Sequence, residues 1–175
     1  IAACDIYIHS FVMSSFTLRC FLQKLSLRTA FTLAYPTIQT HKRARINPGK
    51  KLHIVLCGLG RYAGLVAIGL KSCRHCRLTG IVTGTPAKAA AWQKEYAIPE
   101  MNIYNYQNFD KIIHNKDIDL VYVTLPNALH KEMVLRAAAA GKQVIVEKPM
   151  ALTASDCREM ITACEKAGVA LAVGY

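Results

Sequence analysis

The chain has 175 residues, 53% of them hydrophobic, and a formal net charge of +11. The length suits one ordinary domain with a tail, and no run of about 18 apolar residues occurs, so we expect no membrane span in the mature form. The charge excess is diffuse, with seven Lys or Arg against one acid in residues 1–50 and fifteen against ten in residues 51–175, which argues against a nucleic-acid partner and favours an anionic ligand.

Residues 1–50 have the composition of a leader and linker rather than of a folded domain. No Asp or Glu occurs between residues 11 and 50, whereas Arg, Ser and Thr are frequent. The segment Leu18–Lys24 resembles a twin-arginine export signal, with Leu18 where the first arginine should stand, and this predicts a periplasmic or exported protein. A disordered basic tail on a cytoplasmic protein and an organelle transit peptide are the alternatives.

From Lys51 onward, signals for strands and helices alternate along the chain. Short aliphatic, β-branched runs predict five strands, and apolar spacing near 3.6 residues with capping residues predicts the helices. The predicted strands are 52–57, 78–83, 119–125, 143–147 and 170–174, and the predicted helices are 62–71, 86–96, 108–114, 129–140 and 154–167. This alternation predicts an α/β fold with a doubly wound parallel sheet, a Rossmann domain over residues 51–175.

A glycine-rich loop joins the first predicted strand to the first predicted helix. Its sequence, Gly58-Leu59-Gly60-Arg61-Tyr62-Ala63, fits the Gly-x-Gly-x-x-Gly/Ala pattern. In this pattern the first glycine allows a tight turn, the second lets the backbone approach a pyrophosphate, and the small last residue lets the helix pack on the strand. The helix N-terminus then points at the phosphates. We therefore predict that these six residues bind a dinucleotide, with a plain structural turn as the alternative.

The end of the second predicted strand bears on which dinucleotide is bound. Enzymes that use NAD usually place Asp or Glu there, about 20 residues after the glycine loop. This chain has Thr83-Gly84-Thr85 instead, and no acid lies between the glycine loop and Glu95. A carboxylate would repel a 2′-phosphate, whereas hydroxyls, amides and the cations of Arg61 and Lys88 would attract it. NADP is therefore predicted over NAD, and the alternative for Lys88 is a solvated helix charge.

The seven cysteines include one closely spaced pair, Cys73-Arg74-His75-Cys76. Its spacing is that of metal ligands, but a structural zinc site needs a second pair, and none follows at a suitable distance. Free thiols are the main expectation, with a redox dithiol and a zinc site as alternatives. No metal site is predicted.

Two further motifs lie at the carboxyl ends of later strands, where open α/β sheets bind ligands. Leu125-Pro126-Asn127, with His130 beyond it, follows the third predicted strand, and Glu147-Lys148-Pro149 follows the fourth. Each motif is unremarkable alone. Their order after the glycine loop and before Gly174-Tyr175 is much more specific.

That order resembles the N-terminal domain of the glucose-fructose oxidoreductase, inositol dehydrogenase and rhizopine-catabolism (Gfo/Idh/MocA) family, and is most similar to its glucose-fructose oxidoreductase branch. The segments 103–112, 122–127 and 147–150 contribute to the likeness. The resemblance implies tightly held NADP, whose binding residues beyond the glycine loop are then the following. Thr83, Gly84 and Lys88 would surround the 2′-phosphate, and Tyr106 would also bind the cofactor. Leu125, Pro126, Asn127 and His130 would line the nicotinamide side. Glu147, Lys148 and Pro149 would lie at the ring, with a cis bond before Pro149.

The resemblance also implies a catalytic residue and a substrate class. Lys148 would polarise or position a sugar or polyol hydroxyl during hydride transfer to the nicotinamide, and its alternative role is a structural cation paired with Glu147. The family's second domain would begin near Tyr175, so we expect this chain to bind dinucleotide without turning over sugar by itself, and the complete enzyme to be a homo-oligomer. A non-catalytic NAD(P)-binding or redox-sensing module is the alternative function.

Overall fold

The computed structural model describes residues 51–174, which form one parallel sheet flanked by helices. The strands are β1 (Leu52–Cys57), β2 (Cys76–Val82), β3 (Ile103–Tyr104), β4 (Leu120–Val123), β5 (Gln143–Glu147) and β6 (Leu171–Gly174). Their order across the sheet is β3-β2-β1-β4-β5-β6, and every pairing is parallel. This is the doubly wound order that reverses between β1 and β4. The predicted fold class is confirmed, while the predictions for residues 1–50 lie outside the described residues.

Four α-helices connect the strands. They are α1 (Arg61–Lys71), α2 (Pro86–Tyr96), α3 (His130–Ala139) and α4 (Ala154–Ala167), and short 3-10 helices occur at 100–102, 109–114 and 127–129. None of the helices between residues 51 and 174 is long and apolar enough to cross a lipid bilayer.

Both faces of the sheet are buried, which explains why its strands are nearly continuous in apolar residues. Along β4, Val121 and Val123 pack on the face covered by α3 and α4, whereas Leu120 and Tyr122 pack on the face covered by α1. The helix α1 contributes Ala63, Ala67 and Leu70 to its core, all of them buried. Ala63, the last residue of the glycine loop, is therefore buried between helix and strand, which is why the pattern requires a small residue there.

Helix α4 shows how the local sequence fixes an element. The side chain of Thr153 accepts a hydrogen bond of 3.1 Å from the main-chain N–H of Asp156, and Gly168 ends the helix with a φ of +68°. A capping threonine satisfies a helix N–H that has no acceptor within the helix, and glycine adopts the left-handed C-terminal conformation without strain. The predicted start and end of this helix are confirmed.

The prediction and the structure differ most clearly at three places. Strand β4 ends at Val123 rather than at 125, because the next residue leaves the ladder to contact the glycine loop. The predicted helix at 108–114 is a 3-10 helix over Phe109–His114, and the edge strand β3 was missed. A two-residue strand shows no periodicity that a sequence pattern could reveal, since periodicity needs several turns or alternations.

Candidate functional site

The glycine loop begins at a position that only glycine can occupy without strain. Gly58 has a φ of +97°, and a Cβ built on it would lie 2.7 Å from Cδ2 of Leu125. The hydroxyl of Thr124 donates 2.7 Å to the carbonyl oxygen of Gly58. The backbone can therefore approach the end of β4 closely only because Gly58 has no side chain. The loop after β1 and the loop after β4 are held together at this point.

The start of α1 has the features of an anion-binding site. Gly60 is its N-cap, makes no side-chain cap, and a Cβ built there would meet no atom of residues 51–174 within 4 Å. The first turn, which begins at Arg61, contains no acidic residue. The N–H groups of a first helical turn have no acceptor within the helix and lie at the positive end of its dipole. A diphosphate therefore fits the donors that this turn offers.

The end of β2 carries the residues predicted to surround a 2′-phosphate. Thr83 is buried, and its hydroxyl oxygen accepts 3.2 Å from the N–H of Thr85. Gly84 is exposed, and a Cβ on it would lie 3.1 Å from the ring of Tyr106. Tyr106 is half-buried, and burial raises the pKa of its phenol. The ring of Tyr106 thus forms one wall beside Gly84.

Lys88 links this region to the glycine loop. Its Nζ donates to the carbonyl oxygen of Leu59 at 3.3 Å, across 29 residues of sequence. The first turn of α2, like that of α1, contains no acidic residue. The structure therefore brings a lysine, the glycine loop and the end of β2 together without a nearby first-turn carboxylate. That is the charge pattern that suits an anion rather than a ribose hydroxyl held by Asp or Glu.

The motif after β4 divides into buried and exposed parts. Leu125 is buried against Gly58, whereas Pro126 and Asn127 are exposed and begin a 3-10 helix. His130, expected along the nicotinamide side, is fully buried, and its Nε2 lies 2.8 Å from the carbonyl oxygen of Leu125. Its Nδ1 lies 3.0 Å from the carbonyl oxygen of Pro149. The imidazole thus contacts the main chain of both carboxyl-edge loops and holds them together from beneath.

The motif after β5 presents its lysine to solvent. The peptide bond between Lys148 and Pro149 is cis, as the resemblance implies. Lys148 and Pro149 are exposed, and Glu147 is half-buried. Among the ion pairs within residues 51–174, none joins Lys148 to Glu147. Lys148 therefore lies exposed just beyond the carboxyl end of β5 without that structural partner.

Tyr62 and Tyr122 both lie near Glu147, although only Tyr62 was predicted as a site residue. The hydroxyl of Tyr122, a buried residue of β4, donates to Oε1 of Glu147. Tyr62, at the start of α1, lies near both Tyr122 and Glu147. Burial and the neighbouring carboxylate raise the pKa of Tyr122, so its hydroxyl stays protonated. A tyrosine inside an otherwise aliphatic strand was the available signal, because a buried hydroxyl needs a polar partner.

The cysteine pair lies away from these residues. Cys76 begins β2 at the amino edge of the sheet, and its Sγ lies 2.8 Å from Sγ of Cys73. Both thiols are free and buried. Within the part of the chain that the structure describes, no group of three or more His, Cys, Asp or Glu is placed to hold a metal ion.

Comparison with known proteins gives a consistent set of relatives. The chain is 42% identical over 76 residues to 2,7-anhydro-N-acetylneuraminate hydratase of Escherichia coli, covering 43% of this chain and 20% of that protein. It is 32% identical over 120 residues to 1,5-anhydro-D-fructose reductase of Ensifer adhaerens, covering 69% and 35%. Among solved structures, aldose-aldose oxidoreductase from Caulobacter crescentus, complexed with glycerol, has a TM-score of 0.70 and 48% identity over 72% of this chain and 38% of that one.

The chain thus spans between 20% and 38% of the length of these relatives. A family model described as an oxidoreductase family with an NAD-binding Rossmann fold matches residues 52–175. The match begins at the first residue of β1 and includes each of the motifs at the carboxyl edge. The chain belongs to this Gfo/Idh/MocA oxidoreductase family.

Proposed function

We propose that this chain is the nucleotide-binding part of an NADP-dependent oxidoreductase of the glucose-fructose oxidoreductase type. Its reaction is hydride transfer between the nicotinamide and a hydroxyl or carbonyl group of a sugar or polyol. The observation that carries the proposal is the contact of Lys88 with the glycine loop, at 3.3 Å, beside a strand end that has no acid. The family match and the sugar-related names of the relatives support the reaction and the substrate class.

The residues present fit a dinucleotide. The N–H groups at the start of α1 would hold the diphosphate, since they lie at the positive end of a helix and face open space at Gly60. Gly84 and Lys88 would hold the 2′-phosphate, with the ring of Tyr106 as a wall. The bound cofactor supplies the hydride chemistry, and the protein supplies its orientation and electrostatics.

Lys148 is proposed to act on the substrate side. Its ammonium group is exposed at the end of β5, and His130 holds the following Pro149 through a carbonyl contact of 3.0 Å. An ammonium group in this place can donate to the oxygen of a sugar or polyol and stabilise charge that develops there during hydride transfer. Because this contact fixes the main chain next to Lys148, it limits how far the lysine can move.

The cofactor proposal can be tested by calorimetry on the 175-residue chain with NADPH and NADH. We expect tighter binding of NADPH. The substitution Lys88→Met should weaken NADPH binding about tenfold, because a charge-assisted hydrogen bond to phosphate is lost, and should leave NADH binding unchanged. Lys94→Met, an exposed lysine on the same helix, is the matched control. Equal affinity for the two cofactors would contradict NADP specificity, and absence of binding to either would contradict the proposed function.

We also propose that residues 1–50 direct export through the twin-arginine pathway, on the motif at Leu18–Lys24. Fractionation of cells that express the complete coding sequence, compared with an Arg19→Gln variant, is the test. Export predicts a shortened wild-type protein in the periplasm and retention of the variant. Full-length wild-type protein confined to the cytosol would contradict export.

A further inference from the structure

In the described part of the chain, one strand of the sheet ends in an acidic side chain at the carboxyl edge. The six strands end at Cys57, Val82, Tyr104, Val123, Glu147 and Gly174, so β5 alone among them ends in a carboxylate. Glu147 is half-buried, and the face of the sheet that it shares with Tyr122 is the face covered by α1. Its charge therefore lies close to the start of α1, where the glycine loop ends.

The carboxylate of Glu147 is fixed by its surroundings. The hydroxyl of Tyr122 donates to Oε1, and Tyr62 lies near both groups. From the other side, a Cβ built on Gly174 would lie 2.7 Å from the same Oε1. The oxygen therefore fits a position bounded by β4, α1 and the end of β6. The hydroxyl that donates from β4 and the close approach of β6 hold this carboxylate in place.

The position of this carboxylate relates it to one half of the proposed cofactor. In doubly wound sheets the two mononucleotide halves bind on either side of the point where the strand order reverses. Here that point lies between β1 and β4. Lys88, Thr83 and Gly84 identify the β1–β2 side as the half that would hold the adenosine 2′-phosphate. Glu147, on β5, therefore belongs to the half that would hold the nicotinamide.

We infer that Glu147, held by Tyr122, makes the site prefer the oxidised cofactor over the reduced one, an inference that rests on the proposed function. The oxidised nicotinamide ring carries a positive charge and the reduced ring is neutral, so a fixed carboxylate on that side attracts only the oxidised form. For one unit charge at the boundary between protein and solvent, the expected difference in affinity is about tenfold after allowance for solvent screening. Lys148 acts with the opposite sign, because its ammonium repels the cationic ring.

The test is the ratio of two dissociation constants, for NADP⁺ and for NADPH, measured by calorimetry on the 175-residue chain. Glu147→Gln keeps an oxygen that can accept from Tyr122 and removes only the charge. It should weaken NADP⁺ binding about tenfold and leave NADPH binding within about twofold. Tyr122→Phe should move the ratio in the same direction by a smaller factor, since the carboxylate remains but is less fixed. Lys148→Met should move the ratio in the opposite direction.

Glu100→Gln is the matched control, because this exposed carboxylate lies beside β3 at the far edge of the sheet. The ratio of its two dissociation constants should equal that of the wild type. If the wild-type chain binds neither cofactor, the proposed function fails. If it binds both and Glu147→Gln leaves the ratio unchanged, or weakens both equally, the charge inference is overturned while the proposed function stands. If Glu147→Gln does not fold, the opposite shifts of Tyr122→Phe and Lys148→Met decide, and the absence of either shift counts against the inference.

Discussion

The two edges of the sheet each carry a lysine next to β5, and the two lysines are used differently. At the amino edge, Lys142 is buried and its Nζ donates to the carbonyl oxygens of Asn115 at 2.6 Å and Ile118 at 3.0 Å. At the carboxyl edge, Lys148 is exposed beside a half-buried Glu147. At the amino edge, main-chain carbonyl oxygens accept the hydrogen bonds of the lysine. The carboxyl edge leaves its cation and its helix N–H groups free for a ligand, which is the property that makes it the candidate site.

The largest effect is expected at the carboxyl edge itself, for Gly58→Val. A side chain at φ +97° is strained, and its Cβ would lie 2.7 Å from Leu125. Left-handed strain and overpacking together should cost about 3 kcal/mol of unfolding free energy and abolish NADPH binding. Urea denaturation followed by tryptophan fluorescence measures the first effect and calorimetry the second.

Gly60→Ala is the contrast within the same loop. Gly60 has a φ of −84°, which any residue adopts, and the structure places no atom of residues 51–174 within 4 Å of its Cβ position. This variant should keep nearly wild-type stability and still lose cofactor affinity, because the methyl group enters the space where a diphosphate would approach the backbone. Unchanged binding in Gly60→Ala would show that the phosphates do not contact this loop.

The amino edge gives the next largest effect, through Lys142→Met. The two carbonyl oxygens that Lys142 contacts would lose their donor while staying partly buried. Leaving buried acceptors without a donor costs about 2 kcal/mol, so the unfolding midpoint in urea should fall. Lys148→Met should leave that midpoint unchanged, since its side chain is exposed. A stability loss at Lys148 equal to that at Lys142 would remove the distinction between the two edges.

The glycine loop, the Thr153 cap and the strand order could be predicted from the sequence because each depends on neighbouring residues or on chain connectivity. Gly58 and Gly60 flank one residue, and Thr153 is three residues from the N–H that it caps. The contacts that assemble the site join distant segments, and for these contacts sequence patterns indicate residue types but not their partners. His130 is expected along the nicotinamide side, and the structure shows it fully buried with its two ring nitrogens next to carbonyl oxygens of two loops.

The hydrogen bond between Tyr122 and Glu147 was missed for a related reason. The two residues are 25 positions apart, and they meet only because β4 and β5 are neighbouring strands. Tyr122 belongs to the second-to-last residue pair between these strands, close to where Glu147 ends β5. A strand pattern shows that Tyr122 is buried but not which polar group it contacts. Pairing register, rather than composition, determines this part of the site.

The smallest predicted effect is the change in folding stability at alkaline pH, to which the two edges contribute with opposite signs. Burial raises the pKa of Cys57, beneath the glycine loop, from 9.0 to about 12. The unfolded thiol therefore ionises above pH 9 while the folded one stays protonated, and stability is lost as pH rises from about 9 to 12. Burial lowers the pKa of Lys142 below 10.5, so the folded state is favoured once this lysine loses its proton, and its contribution to stability grows as pH rises toward 10.5.

Thermal melts at pH 8 and pH 10 separate the two contributions. Cys57→Ala should reduce the alkaline loss of stability by about 1 kcal/mol, because the thiol that resists ionisation in the folded state is removed. Lys142→Met should increase the loss, because the opposing contribution is removed. Cys157→Ala, at a half-buried thiol on α4, serves as the control for loss of a cysteine. If Cys57→Ala and Lys142→Met changed the alkaline loss in the same direction, burial would not be the cause of both pKa shifts, and the contrast between the edges would have to rest on hydrogen bonding alone.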